Sequence, residues 1–558
     1  MRSPLMRVPS WPEEFRARYR AAGCWTGETF ADFVRDRCER YAERTAVVGT
    51  DANGRSVRWS YAELGRRASA AADRLAAAGV TRGDRVVVTL PNIVEYVAVV
   101  LGLFRMGALP VFGLPSHRAL ELTHFCSLSD ATALVVVGEW DGHDFRAMHD
   151  EVSAQLRSAG QEPPELIDVA TWPSAPDPPT VSGSGAADGP GTAHPAEEVA
   201  FLQLSGGTTG ISKLIPRTAA DYLYSVRESA SICGLGESTV LLVSLPAAHN
   251  FPMSSPGILG VLHSGGSVVL ARDPSPRTAF RLIEQERCTM ASLVPPLAQA
   301  WISAARRRTP DLSSLDVVQV GGARLSDAVA PQIREVLGAR LQQVFGMAEG
   351  LVNYTRLDEP DGLVLTTQGR PISEYDEVRV VDAEDREVAD GEEGALLTRG
   401  PYTIRGYYRA EAPNRDSFTA DGFYRTGDLV RRLPSGHLVV TGRDKDQINR
   451  GGEKIASEEI EGLALSHPDV LDAIAVGLPD QYLGERICLV VRPEPDREVP
   501  DLTTVLGTYL RAAGLATYKI PDLITVLDDF PETHVGKNSR RDLRRTLAAR
   551  LTDQVPAG

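Results

Sequence analysis

The alternation of apolar and polar positions in the first part of the chain predicts helices and strands in turn. Tyr61–Ala78 is rich in Ala and Leu with helical spacing, and Gly79 is placed to end the helix. Arg85–Leu90 is an apolar run typical of a buried strand. Asn92–Met106 is again helical, with Gly107 as its expected cap. This rhythm predicts an α/β fold built on largely parallel sheets.

Two changes in composition indicate how the rest of the chain is organised. Residues 172–198 are dense in Pro, Gly, Ala and Ser and predict an exposed loop, which the buried strand Val199–Leu204 follows. Residues 436–453 are polar and contain glycine, and a short α+β pattern comes after them. We therefore predict a large N-terminal domain of layered, largely parallel sheets with helices, residues 1–443, and a small α+β domain, residues 444–558.

Composition restricts the classes of function. The chain has 558 residues, too many for one compact core, and a net charge of −15 that repels nucleic acids and anionic membranes. Its six cysteines include no CxxC pair, which argues against a zinc site or a disulfide scaffold. The N-terminal residues lack the apolar core of a signal peptide. We expect a cytoplasmic protein that binds neither nucleic acid nor a membrane.

The clearest candidate for chemistry is a glycine-rich loop directly after the strand Val199–Leu204. Its glycines allow backbone N–H groups to approach phosphate oxygens, its hydroxyls add donors, and its lysine adds positive charge. The residues with these features are Ser205, Gly206, Gly207, Thr208, Thr209, Gly210 and Lys213. The spacing differs from that of the GxxxxGK[ST] phosphate loop. Taken alone, the segment is equally compatible with a flexible turn.

The segment SGGTTGISK, together with the LIPRT that follows it, resembles the phosphate loop of the adenylate-forming superfamily. The superfamily includes acyl-CoA synthetases, adenylation domains and luciferase-like enzymes. Ser212 stands where the common form has proline, and this variant is similar to the aryl-acid AMP ligase branch, especially 2,3-dihydroxybenzoate–AMP ligases of siderophore pathways. The resemblance runs from about residue 10 to about residue 550 through several motifs in the order of the family.

The resemblance implies a nucleotide site for ATP and Mg²⁺ that is assembled from separated motifs. Glu349 would help to hold Mg²⁺, Phe345 would stack near adenine, and Asp428 would bind the ribose hydroxyls, with Arg443 near the sugar or the phosphate. Ala348 replaces the threonine of the family. The nucleotide-binding residues implied by these motifs are Gly322, Ala323, Phe345, Gly346, Met347, Asp428 and Arg443.

The resemblance also implies a mobile C-terminal domain. Lys537 would enter the site and bridge the carboxylate of the acid and the α-phosphate of ATP, where an ammonium offsets their repulsion. Lys445 occupies the position of the hinge about which the domain rotates. Lys213, Lys537 and His249 are the expected catalytic residues.

Residues 249–255, HNFPMSS, are the segment that bears on the choice of acid. By the resemblance, Asn250 contacts the carboxylate or the ortho-hydroxyl of a small aromatic acid, and Ser255 and Val352 shape the ring pocket in favour of 2,3-dihydroxybenzoate. Phe251 stands where such enzymes commonly have tyrosine, so one hydroxyl is missing. Salicylate, 3-hydroxypicolinate and 3-hydroxyquinaldate therefore remain alternatives.

The expected reaction is activation of the acid as its acyl-AMP, followed by transfer to a thiol. The favoured acceptor is a phosphopantetheinylated aryl carrier protein on a separate chain, and coenzyme A is the alternative. A catalytically silent relative that binds an acyl-AMP or a partner protein is an alternative of another class. The presence of Lys213, Glu349, Asp428 and Lys537 argues against it.

Overall fold

The computed structural model describes residues 8–173, 195–205, 212–443, 447–450, 453–480, 483–495, 501–513, 515, 519–531 and 539–552. Most of the predicted loop 172–198 lies outside these ranges. Within them, no helix combines the length and the apolar character that crossing a membrane requires.

The helices are α1 (Glu13–Ala21), α2 (Phe30–Arg40), α3 (Tyr61–Ala77), α4 (Val94–Met106), α5 (Ala119–Ser129), α6 (Phe145–Ser158), α7 (Ala219–Ile232), α8 (Asn250–Ser254), α9 (Gly257–His263), α10 (Pro276–Glu286), α11 (Pro295–Arg308), α12 (Ala330–Leu337), α13 (Asp361–Val364), α14 (Glu411–Ser417), α15 (Ser457–Leu465), α16 (Leu502–Ala512) and α17 (Arg540–Thr552).

The strands are β1 (Thr45–Thr50), β2 (Ser56–Ser60), β3 (Arg85–Thr89), β4 (Leu109–Gly113), β5 (Ala133–Val136), β6 (Glu139–Trp140), β7 (His143–Asp144), β8 (Glu165–Asp168), β9 (Val199–Leu204), β10 (Leu214–Thr218), β11 (Val240–Val243), β12 (Ser267–Leu270), β13 (Met290–Leu293), β14 (Val317–Gly321), β15 (Arg340–Met347), β16 (Leu351–Tyr354), β17 (Arg370–Pro371), β18 (Glu377–Val381), β19 (Glu393–Arg399), β20 (Tyr424–Arg432), β21 (Leu438–Arg443), β22 (Ile448–Arg450), β23 (Glu453–Ile455), β24 (Val470–Asp480), β25 (Gly484–Pro493) and β26 (Leu523–Val526).

Two large sheets form the N-terminal part of the fold. One has nine strands in the order β17-β16-β15-β14-β13-β11-β12-β1-β2, with parallel pairing from β15 through to β1. The other has six strands in the order β10-β9-β4-β3-β5-β8 and is parallel except for the β9–β10 pair. This arrangement confirms the predicted α/β class and its largely parallel sheets.

Two smaller sheets follow along the chain. Strands β18-β19-β20-β21 form an antiparallel sheet, which ends at Arg443. The C-terminal sheet contains β23-β22-β25-β24, with β26 added parallel to β25, and helices α15 to α17 accompany it. It has apolar clusters of its own, one of which includes Ile448, Leu489 and Leu506. The small α+β domain is therefore present, while its boundary at 443/444 and its mobility stay predictions.

Several local patterns have the predicted outcome. Strand β9 spans the predicted residues, and Gly107 ends α4 with φ +71°, the left-handed conformation that glycine adopts readily. Helix α4 begins at Val94, two residues after the predicted start, and is buried on nearly all sides. Gly102 permits its close contact with α3, because an added Cβ would lie 2.7 Å from the carbonyl oxygen of Ala68.

Candidate active site

The base of the predicted phosphate loop is closed by two hydrogen bonds between Ser205 and Lys213. The N–H of Ser205 donates to the Lys213 carbonyl at 3.0 Å, and the N–H of Lys213 donates to Ser205 Oγ at 2.9 Å. The antiparallel strands β9 and β10 flank the loop, so its two ends are held together. Gly206, Gly207, Thr208, Thr209 and Gly210 lie outside the described residues, and their phosphate contacts stay predictions.

A buried carboxyl group lies next to the loop lysine. Glu349 is 6% exposed, and its Oε1 accepts a hydrogen bond of 2.9 Å from the Tyr407 hydroxyl. The Nζ of Lys213 lies 4.3 Å from the centre of the Tyr407 ring. Burial raises the pKa of Glu349, while the Tyr407 hydrogen bond and the charges of Lys213 and Arg443 act in the opposite direction. A cation bound here would stabilise the carboxylate form.

The surroundings of Glu349 are compatible with Mg²⁺ that arrives with a triphosphate. In the described ranges, no cluster of three or more His, Cys, Asp or Glu side chains could hold a metal ion. Mg²⁺ commonly takes one or two carboxylates and completes its shell with phosphate oxygens and water. Glu349 fits the role of that carboxylate.

The hairpin formed by β15 and β16 carries residues of both predicted sites. Glu349 lies in its turn, and Gly346 on β15 is the cross-strand partner of Val352 on β16. Val352 is 5% exposed, and a Cβ added to Gly346 would lie 3.2 Å from the Cα of Val352. Phe345 and Met347 lie on the same strand, half-buried. The predicted nucleotide-binding and acid-binding residues are thus adjacent.

The predicted ribose carboxylate is also paired across two strands. Asp428 on β20 faces Arg443 on β21, and the Arg443 Nε donates to Asp428 Oδ1 at 2.8 Å. Asp428 is 4% exposed, whereas the Arg443 side chain is 49% exposed. The ion pair restricts the carboxylate to one orientation, and its Oδ2 does not take part in that bond.

The short helix α8 carries the predicted acid-binding segment. His249 caps it, with Nδ1 accepting a hydrogen bond of 3.3 Å from the N–H of Phe251. This contact gives His249 a structural role, and its catalytic role stays a prediction. Asn250 is half-buried at the start of the helix, and Ser255, 4% exposed, is its C-terminal cap.

Phe251 connects α8 with the end of strand β14. The backbone of Gly321 passes so close to its ring that an added Cβ would lie 3.2 Å from Phe251 Cε1. Gly322, with φ +82°, and Ala323 follow directly and are exposed, as residues that line an open site would be. The structure therefore brings the segments of Phe251 and Gly322 together. Lys445 and Lys537 lie outside the described residues.

Sequence reasoning missed several side chains that hold these residues in place. Tyr407 contacts both Lys213 and Glu349. Arg217, in the LIPRT segment, is 2% exposed, and its Nη1 donates to the carbonyl of Ala348 at 2.6 Å. Tyr222 donates to Asn250 Oδ1 at 2.8 Å. The sequence offered one signal for these contacts, namely Arg217 itself. A charged residue in the otherwise apolar strand β10 indicates that a buried partner is present.

Comparison with known proteins accords with this geometry. The model of the AMP-binding enzyme family matches residues 34–408, and that of the AMP-binding enzyme C-terminal domain matches residues 459–537. The chain belongs to the AMP-binding enzyme family. The chain is 51% identical over 551 residues to a 2,3-dihydroxybenzoate-AMP ligase of Bacillus subtilis, with 97% of this chain and 98% of that protein covered.

Two further relatives extend the comparison. A salicylyl-CoA synthase / salicylate adenylyltransferase of Streptomyces sp. is 45% identical, with 98% of each chain covered. The apo structure of MbtA from Mycobacterium smegmatis is 41% identical with a TM-score of 0.69, covering 96% of this chain and 98% of that one. The matches confirm the predicted superfamily and its aryl-acid AMP ligase branch, and with them an AMP-binding enzyme with ligase activity.

Proposed function

We propose that the protein joins a 2-hydroxyaryl carboxylic acid, with 2,3-dihydroxybenzoate favoured, to the AMP portion of ATP. The aryl group then passes to the phosphopantetheine thiol of a separate aryl carrier protein. The observation that carries this proposal is the cross-strand pair of Gly346 and Val352. In this pair a predicted nucleotide-binding residue faces a predicted acid-binding residue, with Glu349 in the turn between their strands, which supports one shared site for ATP and the acid.

In the first step, a carboxylate oxygen of the acid attacks the α-phosphorus. The bond from that phosphorus to the oxygen bridging to the β-phosphate breaks, and pyrophosphate leaves. Such reactions depend on positioning and on stabilisation of charge. Lys213 and Lys537 supply positive charge, and Glu349 would hold Mg²⁺, which neutralises phosphate charge when bound.

In the second step, a thiolate attacks the carbonyl carbon of the aryl-AMP, and AMP leaves. The site must admit a long thiol after pyrophosphate has gone. Rotation of the small domain about Lys445 would withdraw Lys537 and open a path for that thiol. One site could then serve both steps.

The pocket favours an acid with a polar substituent beside the carboxylate. The buried hydroxyl of Ser255 offers polarity, and the buried side chain of Val352 offers a small apolar wall for the ring. Phe251 packs against Gly321 and offers no hydroxyl. Salicylate, 3-hydroxypicolinate and 3-hydroxyquinaldate are therefore included in the test.

Acid-dependent exchange of pyrophosphate into ATP tests the first step. The purified protein is given each of these acids, benzoate, and acetate as an aliphatic control. We expect the fastest exchange with one ortho-hydroxy aryl acid, 2,3-dihydroxybenzoate first. Faster exchange with acetate would contradict the pocket assignment, and no exchange with any acid would favour a silent relative.

The acceptor is tested separately, because the name of one relative includes a CoA synthase. The protein is given ATP, the preferred acid and either a phosphopantetheinylated aryl carrier protein or coenzyme A. We expect faster thioester formation on the carrier protein. Faster formation on coenzyme A would make the protein an aryl-CoA ligase.

A further inference from the structure

The side chain of Asn250 is held by a residue to which no role has been assigned. Tyr222 on α7 is 1% exposed, and its hydroxyl donates to Asn250 Oδ1 at 2.8 Å. Among the described residues, no group accepts a hydrogen bond from Asn250 Nδ2. With its oxygen engaged, the amide presents N–H donors to whatever lies beside it.

The surroundings of the Tyr222 hydroxyl determine which way its proton points. Gln203 and Ser254 favour negative charge on the hydroxyl oxygen, but they donate their hydrogen bonds to other atoms. Gln203 Nε2 donates to the Ala248 carbonyl at 3.2 Å, and Ser254 Oγ donates to the Asn250 carbonyl at 3.3 Å. Burial outweighs them and raises the pKa of Tyr222 to about 12, so the proton stays on the oxygen. The acceptor of that proton is Asn250 Oδ1, 2.8 Å from the hydroxyl oxygen.

The Tyr222 ring is itself held on two sides. Phe201 on β9 meets it edge to face at 4.7 Å between ring centres, and the Arg217 guanidinium lies 4.8 Å from its centre. Arg217 also pairs with Asp221 at 3.0 Å and donates to the carbonyl of Ala348, the residue before Glu349. One buried cation therefore contacts both the tyrosine and the hairpin turn.

We propose that Tyr222 is a positioning residue, which fixes the Asn250 amide with its N–H groups directed at the oxygens of the bound acid. The inference rests on the proposed function, since it needs an acid beside Asn250. Without the hydroxyl, the amide could rotate and turn Oδ1 towards an anionic carboxylate. The loss of one such net hydrogen bond corresponds to about a tenfold change in an equilibrium, or about 1.4 kcal/mol.

The test is a double-mutant cycle with pyrophosphate exchange as the readout. Tyr222→Phe keeps the ring packing, and we expect its kcat/KM for the acid to fall about tenfold, with the KM of ATP changed less than about twofold. In the Asn250→Ala background, Tyr222→Phe should have almost no further effect, because its hydroxyl would have nothing left to orient.

Tyr224→Phe is the matched control. Tyr224 is a buried tyrosine on the same helix whose hydroxyl bonds to Ser373 at 2.6 Å, and its loss should leave the KM of the acid unchanged. A second variant tests the direction of the amide independently. Asn250→Asp has nearly the same shape but would place an oxygen against the carboxylate, and we expect a loss of about 100-fold or more in kcat/KM.

Equal losses from Tyr222→Phe in both backgrounds would overturn the inference while the proposed function stood. Wild-type kinetics in Asn250→Asp would do the same, because Asn250 would then not act as a donor. Absence of exchange by the wild-type protein with every aryl acid would overturn the proposed function, and the inference with it.

Discussion

Val352, which is predicted to form a wall of the acid pocket, is connected to a buried carboxyl group. The N–H of Val352 donates to the Tyr402 hydroxyl at 3.2 Å, and that hydroxyl donates to Asp376 Oδ2 at 2.7 Å. The N–H of Ser373 donates to the same oxygen at 3.2 Å. Asp376 Oδ1 is buried and has no hydrogen-bond partner among the described residues. Burial raises the pKa of Asp376 to about 8, and the charge of Glu228 adds to the rise.

This carboxyl group should make the stability of the protein depend on pH. Between its unfolded pKa near 3.8 and about 8, the folded protein binds the proton more tightly than the unfolded chain does. The free energy of unfolding therefore decreases as pH rises through this range, by at most about 1.4 kcal/mol per pH unit. Asp376→Asn cannot ionise, and the difference in thermal midpoint, variant minus wild type, should increase from pH 5 to pH 8.

Asp382→Asn provides the comparison for this measurement. Hydrogen bonds from the backbone and the side chain of Arg386 lower the pKa of Asp382, so this carboxylate does not titrate between pH 5 and pH 8. Its replacement should leave the slope of the thermal midpoint with pH unchanged. If Asp376→Asn also left the slope of the thermal midpoint with pH unchanged, Asp376 would be ionised in the folded protein from pH 5 to pH 8.

At the scale of elements, helix α7 connects strand β10, which follows the predicted phosphate loop, to the predicted acid-binding segment. Its first turn has a capping box in which Asp221 N–H donates to Thr218 Oγ1, and Thr218 N–H donates to Asp221 Oδ2, both at 3.1 Å. Asp221 Oδ1 also accepts from the buried Arg217 at 3.0 Å. One carboxylate therefore caps the helix and neutralises a buried cation.

Replacing two aspartates in equivalent capping boxes, one at a time, separates the stability that the cap contributes from the stability that the ion pair contributes. Asp32 on α2 completes a capping box with Thr29, but its ion-pair partner Arg35 is 49% exposed. We expect Asp32→Ala to cost about 1 kcal/mol of stability and Asp221→Ala about 3–5 kcal/mol, because only the latter leaves a buried charge unpaired. Thermal midpoints of the two variants measure the difference. Equal decreases would show that the Arg217 pair adds nothing to the cap.

The elements also show how far the sequence determines the structure. Strand β9 and the glycine that ends α4 follow from local patterns, namely an apolar run and a residue that adopts positive φ. Tyr407 and Tyr222 could not be predicted in this way. Tyr407 reaches Glu349 across 58 residues of chain, and Tyr222 reaches Asn250 across 28. Such pairs depend on how α7, α8 and the hairpin pack together, and no short pattern specifies that packing.

At the scale of the whole molecule, the N-terminal sheets and the C-terminal sheet have separate apolar cores. The largest cluster includes Val86 of the six-stranded sheet and Val268 of the nine-stranded sheet, whereas Leu489 belongs to a cluster confined to the C-terminal part. Ser303 on α11 contacts Glu494 across the two parts at 2.7 Å. Separate cores are what rotation of one part against the other would require.

The proposed rotation of the small domain predicts that Lys537 matters for only one of the two steps. Lys537→Ala should lower pyrophosphate exchange at least about 100-fold, because the two reacting anions lose a cation between them. Thioester formation from supplied aryl-AMP should change less than about threefold. Lys519→Ala, which removes a lysine of the same domain paired with Glu459 at 2.5 Å, should leave both steps near wild type. Similar losses of both steps in Lys537→Ala would mean that the lysine stays in the site throughout, and that a single arrangement of the domains performs both reactions.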